Sequence, residues 1–164
     1  MREAGPYLAG ASLLKMGGAL SAGVAVLHVL ILIDGPRAFR YFGAGERMAR
    51  MAERGSPMPA VWTIGITLVF VVWTLYALSG AGVIRLLPLL RTGLVVIAAV
   101  YTLRGLILGP QLVWRLSGYS EAVPLRYLVF SATALLAGLI HIAGTQRAWA
   151  TLSLPRQRVN PDHS

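Results

Sequence analysis

Four long apolar runs constrain this chain more than any other feature. They cover residues 16–33, 60–79, 86–108 and 125–144, and the first of them can begin as early as Leu8. A helix rises about 1.5 Å per residue, so roughly 20 apolar residues cross the hydrocarbon core of a bilayer. Only helices and closed barrels satisfy their backbone groups in lipid, and runs of this length are typical of helices. The sequence therefore predicts an all-α, integral membrane four-helix bundle in a single transmembrane domain.

Chain-breaking residues mark the ends of these runs. The first run stops at Asp34-Gly35-Pro36, the second at Gly80-Ala81-Gly82 and the third at Gly109-Pro110. Glycine and proline are the residues that most often end regular structure. The spacing predicts helices that end at these points. Both termini of the chain then lie on one side of the membrane, side A, and the first loop lies on the other, side B.

Composition excludes several classes of protein. Of the 164 residues, 56% are hydrophobic and 13% are charged, whereas soluble domains have about 45–50% and about 25%. A soluble enzyme domain is therefore excluded. The absence of cysteine excludes disulfides, thiolate metal sites and thiol catalysis. The net charge of +9 comes from basic residues that flank the apolar runs, where they meet lipid headgroups, so we expect the lipid bilayer and no nucleic acid as a partner.

The first loop is the longest connection in the chain, and it contains a basic amphipathic segment at 44–55. On a helix, Met48, Met51 and Ala52 form an apolar stripe, and the opposite side carries three arginines: Arg47, Arg50 and Arg54. This pattern predicts a short interfacial helix whose arginines contact lipid headgroups. The alternative is an ordinary solvated loop helix between two membrane spans.

The basic residues leave the orientation of the chain open. Side A carries seven of them and side B carries eight, and the positive-inside rule needs a clear excess on one side. The dense first loop favours side B in the cytoplasm, whereas an even number of spans in bacterial proteins favours both termini there.

Two histidines lie inside apolar runs, where a polar side chain is a candidate functional group. His28 shares a helical face with Ala25, Ser21 and Gly18, and His141 shares one with other small residues, Gly138 among them. Small residues allow helices to approach closely, so both histidines are predicted to face inward. Each can be a structural hydrogen-bonding residue or a proton relay. They lie near opposite ends of their helices, roughly 15 Å apart in depth, so a shared haem or metal site is not expected.

The third run contains two arginines, Arg91 and Arg104. Centred in the bilayer, each guanidinium lies within reach of an interface by extending its side chain. The alternative for Arg104 is an ion pair with Asp34, the carboxylate nearest its end of the bundle. Tyr101 lies three residues before Arg104 on one helical face and completes the set of candidate polar residues.

Recognisable catalytic patterns are missing from the sequence. It has no phosphate-binding loop, no arrangement of serine, histidine and acid for nucleophilic catalysis, and no acidic residue in any apolar run. We therefore predict no catalytic, cofactor-binding or metal-ligating residues and no enzymatic activity. The C-terminal tail at 152–164 is predicted to be disordered.

Two short motifs accompany this layout: Tyr41-Phe42-Gly43-Ala44-Gly45-Glu46 in the first loop and Leu78-Ser79-Gly80-Ala81-Gly82 after the second run. With them the chain resembles a group of small, uncharacterised four-helix inner-membrane proteins of proteobacteria. The resemblance implies a multi-pass protein of the bacterial inner membrane and implies no activity. Small multidrug exporters are similar in helix count and charge balance, but the glutamate that they require in their first helix is missing here.

Three functions are compatible with the sequence. The first is a non-enzymatic helix-packing, assembly or accessory subunit, which acts in a homo-oligomer or with a membrane-protein partner. The second is a small transporter or channel that uses the inward-facing histidines. The third is a redox or quinone-linked membrane component.

Overall fold

A computed structural model describes residues 4–117 and 123–152 of the protein, with side chains from residue 8 onward, and these residues form seven helices. The described residues contain no strand. In chain order the helices are α1 Ala4–Asp34, α2 Pro36–Phe42, α3 Glu46–Glu53, α4 Met58–Gly80, α5 Leu90–Leu106, α6 Leu108–Leu116 and α7 Leu125–Ala148. The predicted all-helical bundle is confirmed.

Four segments are long and apolar enough to cross a membrane. They are Leu8–Asp34, Met58–Gly80, Leu90–Leu116 and Leu125–Ala148. Each contains most of one apolar run, so the predicted number of long helices is confirmed. Three of these helices extend beyond their runs: α1 begins at Ala4, α4 begins at Met58, and α7 continues to Ala148.

The third segment differs from its prediction at both ends. It begins at Leu90 rather than at 86, because the preceding loop is held by Ser79, whose Oγ donates to the Arg85 carbonyl at 2.8 Å and accepts from the Leu87 amide at 3.0 Å. At the other end, the prediction that Gly109-Pro110 stops the helix is wrong. The chain turns at Ile107 and α6 continues past Pro110, which lies in the first turn of α6 where no amide donor is needed.

Glycines set the packing of the long helices. α1 packs between α4 and α7, and α5 packs mainly on α7 and also contacts α4. Gly18 of α1 faces Ala77 of α4, and Gly144 of α7 faces Leu14 of α1. On the α5 side, Gly105 lies directly against the backbone of Leu135 in α7. Small residues at these positions bring helix backbones into close contact, which is how helices associate without a hydrophobic driving force.

The first loop forms two helices, of which the sequence predicted only the second. α2 and α3 pack across the side B end of the bundle, where Ala49 of α3 is buried beside Phe39 of α2 and Ile31 of α1. α3 therefore contacts protein at Ala52, which belongs to the predicted apolar stripe, and at Ala49, which does not. Met48 and Met51 of the stripe are half-buried, and the three arginines are exposed.

A buried apolar cluster lies at the side A end of the bundle. Leu14, Leu90, Leu94 and Ala148 form a buried cluster that includes Leu152. Leu152 is the first residue of the tail predicted to be disordered, and it is 5% exposed. The rest of that tail, 153–164, lies outside the described residues.

Candidate functional site

The buried polar side chains of the bundle interior form the candidate site. Near the centre, the hydroxyls of Ser21 in α1 and Tyr101 in α5 lie 3.0 Å apart, in hydrogen-bonding distance. Ser21 is fully buried and Tyr101 is 6% exposed. The bond therefore links α1 to α5 within an apolar environment, where leaving either hydroxyl without a partner would be costly.

His141 of α7 lies next to this pair. Its ring stacks on the Tyr101 ring, with 5.5 Å between centroids and an interplanar angle of 25°. The imidazole is fully buried, and it fits because residue 17 of α1 is glycine. A Cβ atom at Gly17 would lie 2.6 Å from the Cε1 atom of the ring.

The hydrogen bonding of His141 defines its tautomer. Its Nδ1 lies 2.9 Å from the carbonyl oxygen of Ala137, and because a carbonyl only accepts, Nδ1 carries the proton. In the neutral ring Nε2 is then an acceptor. Nε2 is buried and has no hydrogen-bond partner among the described residues. The ring can therefore accept a hydrogen bond or a proton at one unused nitrogen.

His28 occupies a different environment. It is half-buried in α1, its Nδ1 donates to the Val24 carbonyl at 2.8 Å, and its ring lies 5.3 Å from that of Phe70. His28 is eleven residues beyond Gly17 in α1, so it lies about 16 Å along the helix from the level of His141. The two histidines are at different depths, as the sequence predicts, and do not form one site.

The alternative offered for Arg104, an ion pair with Asp34, does not form in the described residues. Arg104 Nη1 instead donates to the Ser131 hydroxyl of α7 at 3.0 Å. Asp34 is exposed at the end of α1, and it belongs to none of the ion pairs in the described residues. The physical reason is helix order: α5 packs on α7, so a serine of α7 is the nearest polar group to Arg104. Tyr101 is buried whereas Arg104 is exposed, so these two residues do not share an environment.

Arg40 forms ion pairs that the sequence analysis did not predict. It lies on α2, and its guanidinium donates to Glu46 at 2.8 and 3.0 Å and to Glu53 at 2.8 Å. This clip joins α2 to both ends of α3. Hydrogen bonds from Arg40 hold the pKa of Glu46 and of Glu53 below the ordinary value of 4.5 and raise the pKa of Arg40 itself.

The predicted headgroup-binding arginines lie beside this clip. Arg47, Arg50 and Arg54 are all exposed, and Arg50 Nε lies 3.7 Å from Glu46. Neither Arg47 nor Arg54 belongs to an ion pair within 4–117 and 123–152. Their contact with lipid headgroups stays a prediction.

Two grooves open on the outer surface of the bundle. One lies between α5 and α7, and its volume is about 460 Å³. The other lies between α4 and α5, and its volume is about 230 Å³. Neither groove is lined by His28, Tyr101 or Arg104. In the part of the chain with described side chains, no group of three histidine or acidic residues is placed to hold a metal ion.

Comparison with known proteins gives no further identification: no family model, no curated protein and no solved structure matches this chain. The resemblance to small proteobacterial inner-membrane proteins therefore stays a prediction from the layout and motifs of the sequence.

Proposed function

We propose that this chain is a multi-pass protein of the bacterial inner membrane that acts as a non-enzymatic assembly or accessory subunit through contacts between helices. The observation that carries the proposal is the packing of the interior. Leu14, Leu94, Ile97 and His141 are almost completely buried, and glycines bring the helix backbones together between them. An interior filled in this way favours a packing role over a water-filled pathway.

The outer face of α1 offers a surface for a partner helix. Ala19 and Gly23, four residues apart, are exposed on this face, and a Cβ atom at Gly23 would meet nothing within 4 Å. Two small residues at this spacing allow a second helix to approach closely. The partner is a second copy of this chain or another membrane protein.

The experiment compares two glycines that are both open on the outside of the bundle. A Cβ atom at Gly65 of α4 would likewise meet nothing within 4 Å, so Gly23→Leu and Gly65→Leu should fold equally well. We expect the wild type and Gly65→Leu to form a defined complex in native-like lipid, measured by cross-linking and mass analysis. Gly23→Leu should reduce that complex about tenfold or more, because a leucine separates the helices. A wild-type protein that is a monomer without partners would contradict the proposal.

A small transporter or channel is the second candidate, and the buried Nε2 of His141 favours it. A proton acceptor inside apolar surroundings is a typical feature of proton pathways. This candidate predicts a pH-dependent flux in proteoliposomes that is lost in His28→Ala and in His141→Ala. A redox or quinone-linked role is the third candidate, and it predicts a bound quinone or a visible absorption band in the purified protein.

A further inference from the structure

The groove between α5 and α7 has the shape of a narrow trough along the bundle. It extends from Trp149 at the side A end to Leu103. Beyond that end it is lined by aliphatic residues, including Val95, Ala99 and Ile142, and by one polar residue, Thr102. From Arg91 to Leu103 the helix rises about 18 Å, close to the thickness of one hydrocarbon leaflet, about 15 Å.

Polar groups mark the side A end of this groove. Thr145 lines it, is 3% exposed, and its Oγ1 has no hydrogen-bond partner among the described residues. Gln146 lines the groove at the same level and is exposed. Buried hydroxyls are normally hydrogen-bonded, so the unused Thr145 hydroxyl indicates that something polar belongs beside it.

Arg91 lies at the mouth of the groove. Its guanidinium stacks on the Trp149 ring at 4.8 Å, and Nη2 donates to the Trp149 carbonyl at 2.7 Å. A guanidinium has five N–H donors, so Arg91 retains donors for an anion. Its place at the side A end, level with a tryptophan, is typical of the headgroup region of a bilayer.

We propose that this groove binds one phospholipid of the side A leaflet. An acyl chain lies along Val95, Ala99 and Leu103, an ester carbonyl accepts from Thr145 or Gln146, and the phosphate contacts Arg91. The site rests on the membrane location proposed above. The net charge of +9 favours a ligand with a phosphate over a second copy of this basic chain. Thr102 also lines the groove near Leu103, but its hydroxyl lies against Gly138 of α7. The charged and amide groups, Arg91 and Gln146, lie at the side A end, which matches a lipid, whose polar atoms lie at one end.

The test is native mass spectrometry of the delipidated protein titrated with three probes: dioleoyl phosphatidylglycerol, dioleoyl phosphatidylcholine and dioleoylglycerol. We expect one tight site that prefers both phospholipids over dioleoylglycerol by about tenfold, because only they provide a phosphate for Arg91. Arg91→Gln should remove that preference. Arg85→Gln, which removes an exposed charge from the loop on the same side, should retain it.

A second pair of variants tests the groove itself. Ala99→Leu fills the trough and should abolish the tight site for all three probes. Ala132→Leu adds the same bulk on an exposed position of α7 outside the groove and should leave binding unchanged. Binding by Ala99→Leu at the wild-type level would overturn the proposal, as would a change of oligomeric state in Ala99→Leu, which would identify a second copy as the occupant. A chain that is monodisperse without detergent would refute the membrane location, whereas a bilayer-embedded chain with no tight lipid would refute the lipid site alone.

Discussion

At the level of single residues, the packing of the interior depends on glycines as much as on the large side chains beside them. The imidazole of His141 occupies space that only a glycine at position 17 leaves open. Thr102 of α5 contacts Gly138 of α7 in the same way. These close contacts provide dispersion energy that holds the helices together.

A pair of glycines on α1 tests the importance of these close contacts. Gly17→Ala places a Cβ atom 2.6 Å from the His141 ring, and overpacking of this kind should destabilise the fold by about 1–3 kcal/mol. Gly23→Ala has open space around it and should be neutral or stabilise the helix by up to about 1 kcal/mol. The free energies of unfolding of both variants are measured in the same lipid or detergent by a steric-trap or denaturant titration. Equal effects of the two substitutions would show that the close contact does not matter.

At the scale of elements, the α2–α3 hairpin is held from two sides. Arg40 clips α2 to α3 through Glu46 and Glu53. The guanidinium of Arg126, on α7, lies 5.1 Å from the Tyr41 ring of α2. The Arg40 ion pairs lie at exposed positions, where solvent weakens them, whereas Arg126 is half-buried. The polar side of the hairpin is therefore sensitive to pH and salt, whereas the buried cluster around Phe39 and Ala49 is not.

Acid should loosen α3 against α2, which then remain in contact only through the buried cluster around Phe39 and Ala49. Because the pKa values of Glu46 and Glu53 are lowered in the folded hairpin, their contribution is complete above the ordinary pKa of 4.5 and is lost as the pH falls through the lowered values. The chain has no cysteine, so spin labels at Arg37→Cys and Arg47→Cys report the α2–α3 distance. We expect a narrow distance distribution at neutral pH and a broad one well below pH 4.5.

Two substitutions separate the clip from general charge effects. Arg40→Gln should give the broad distribution already at neutral pH. Arg54→Gln, which removes an arginine outside any ion pair of the described residues, should behave as the wild type. If the hairpin stays ordered through acid titration, the ionic clip is not what orders it.

For the whole molecule, the sequence predicts the number of long helices and little of their arrangement. Each of the four apolar runs corresponds to one long segment. A helix satisfies its backbone groups within its own segment, so a single run of residues is enough to predict it. The runs are 16–33, 60–79, 86–108 and 125–144. The partner of Arg104 depends on which helices are neighbours, and a run of apolar residues carries no such information. The contact between Arg40 and Glu53 spans thirteen residues and was missed for the same reason. The inward face of His141 was predictable because small residues repeat at helical spacing around it.

The contact between α1 and α7 joins the two pairs of helices in the bundle. α4 packs mainly on α1 and α5 mainly on α7, so two helix pairs meet where α1 meets α7. A Cβ atom at Gly144 would lie 3.2 Å from the Cβ of Leu13, near the range of about 3.5–4.5 Å that a disulfide requires. We therefore expect Leu13→Cys with Gly144→Cys to form a disulfide in oxidised membrane vesicles. With a protease site inserted in the loop between α4 and α5, the two halves should then stay joined until a reductant is added.

A neighbouring pair provides the control for this cross-link. Ser12 lies one residue before Leu13 but is exposed on the outer side of α1, so Ser12→Cys with Gly144→Cys should leave the halves separable. If both pairs cross-link equally, α1 rotates or slides against α7, and the contact between these two helices is not fixed. If neither does, α1 and α7 are not neighbours, and the burial of His141 against Gly17 would be lost with them. The cross-link thus tests the helix order and the surroundings of the candidate site in one measurement, because both depend on the same face of α7.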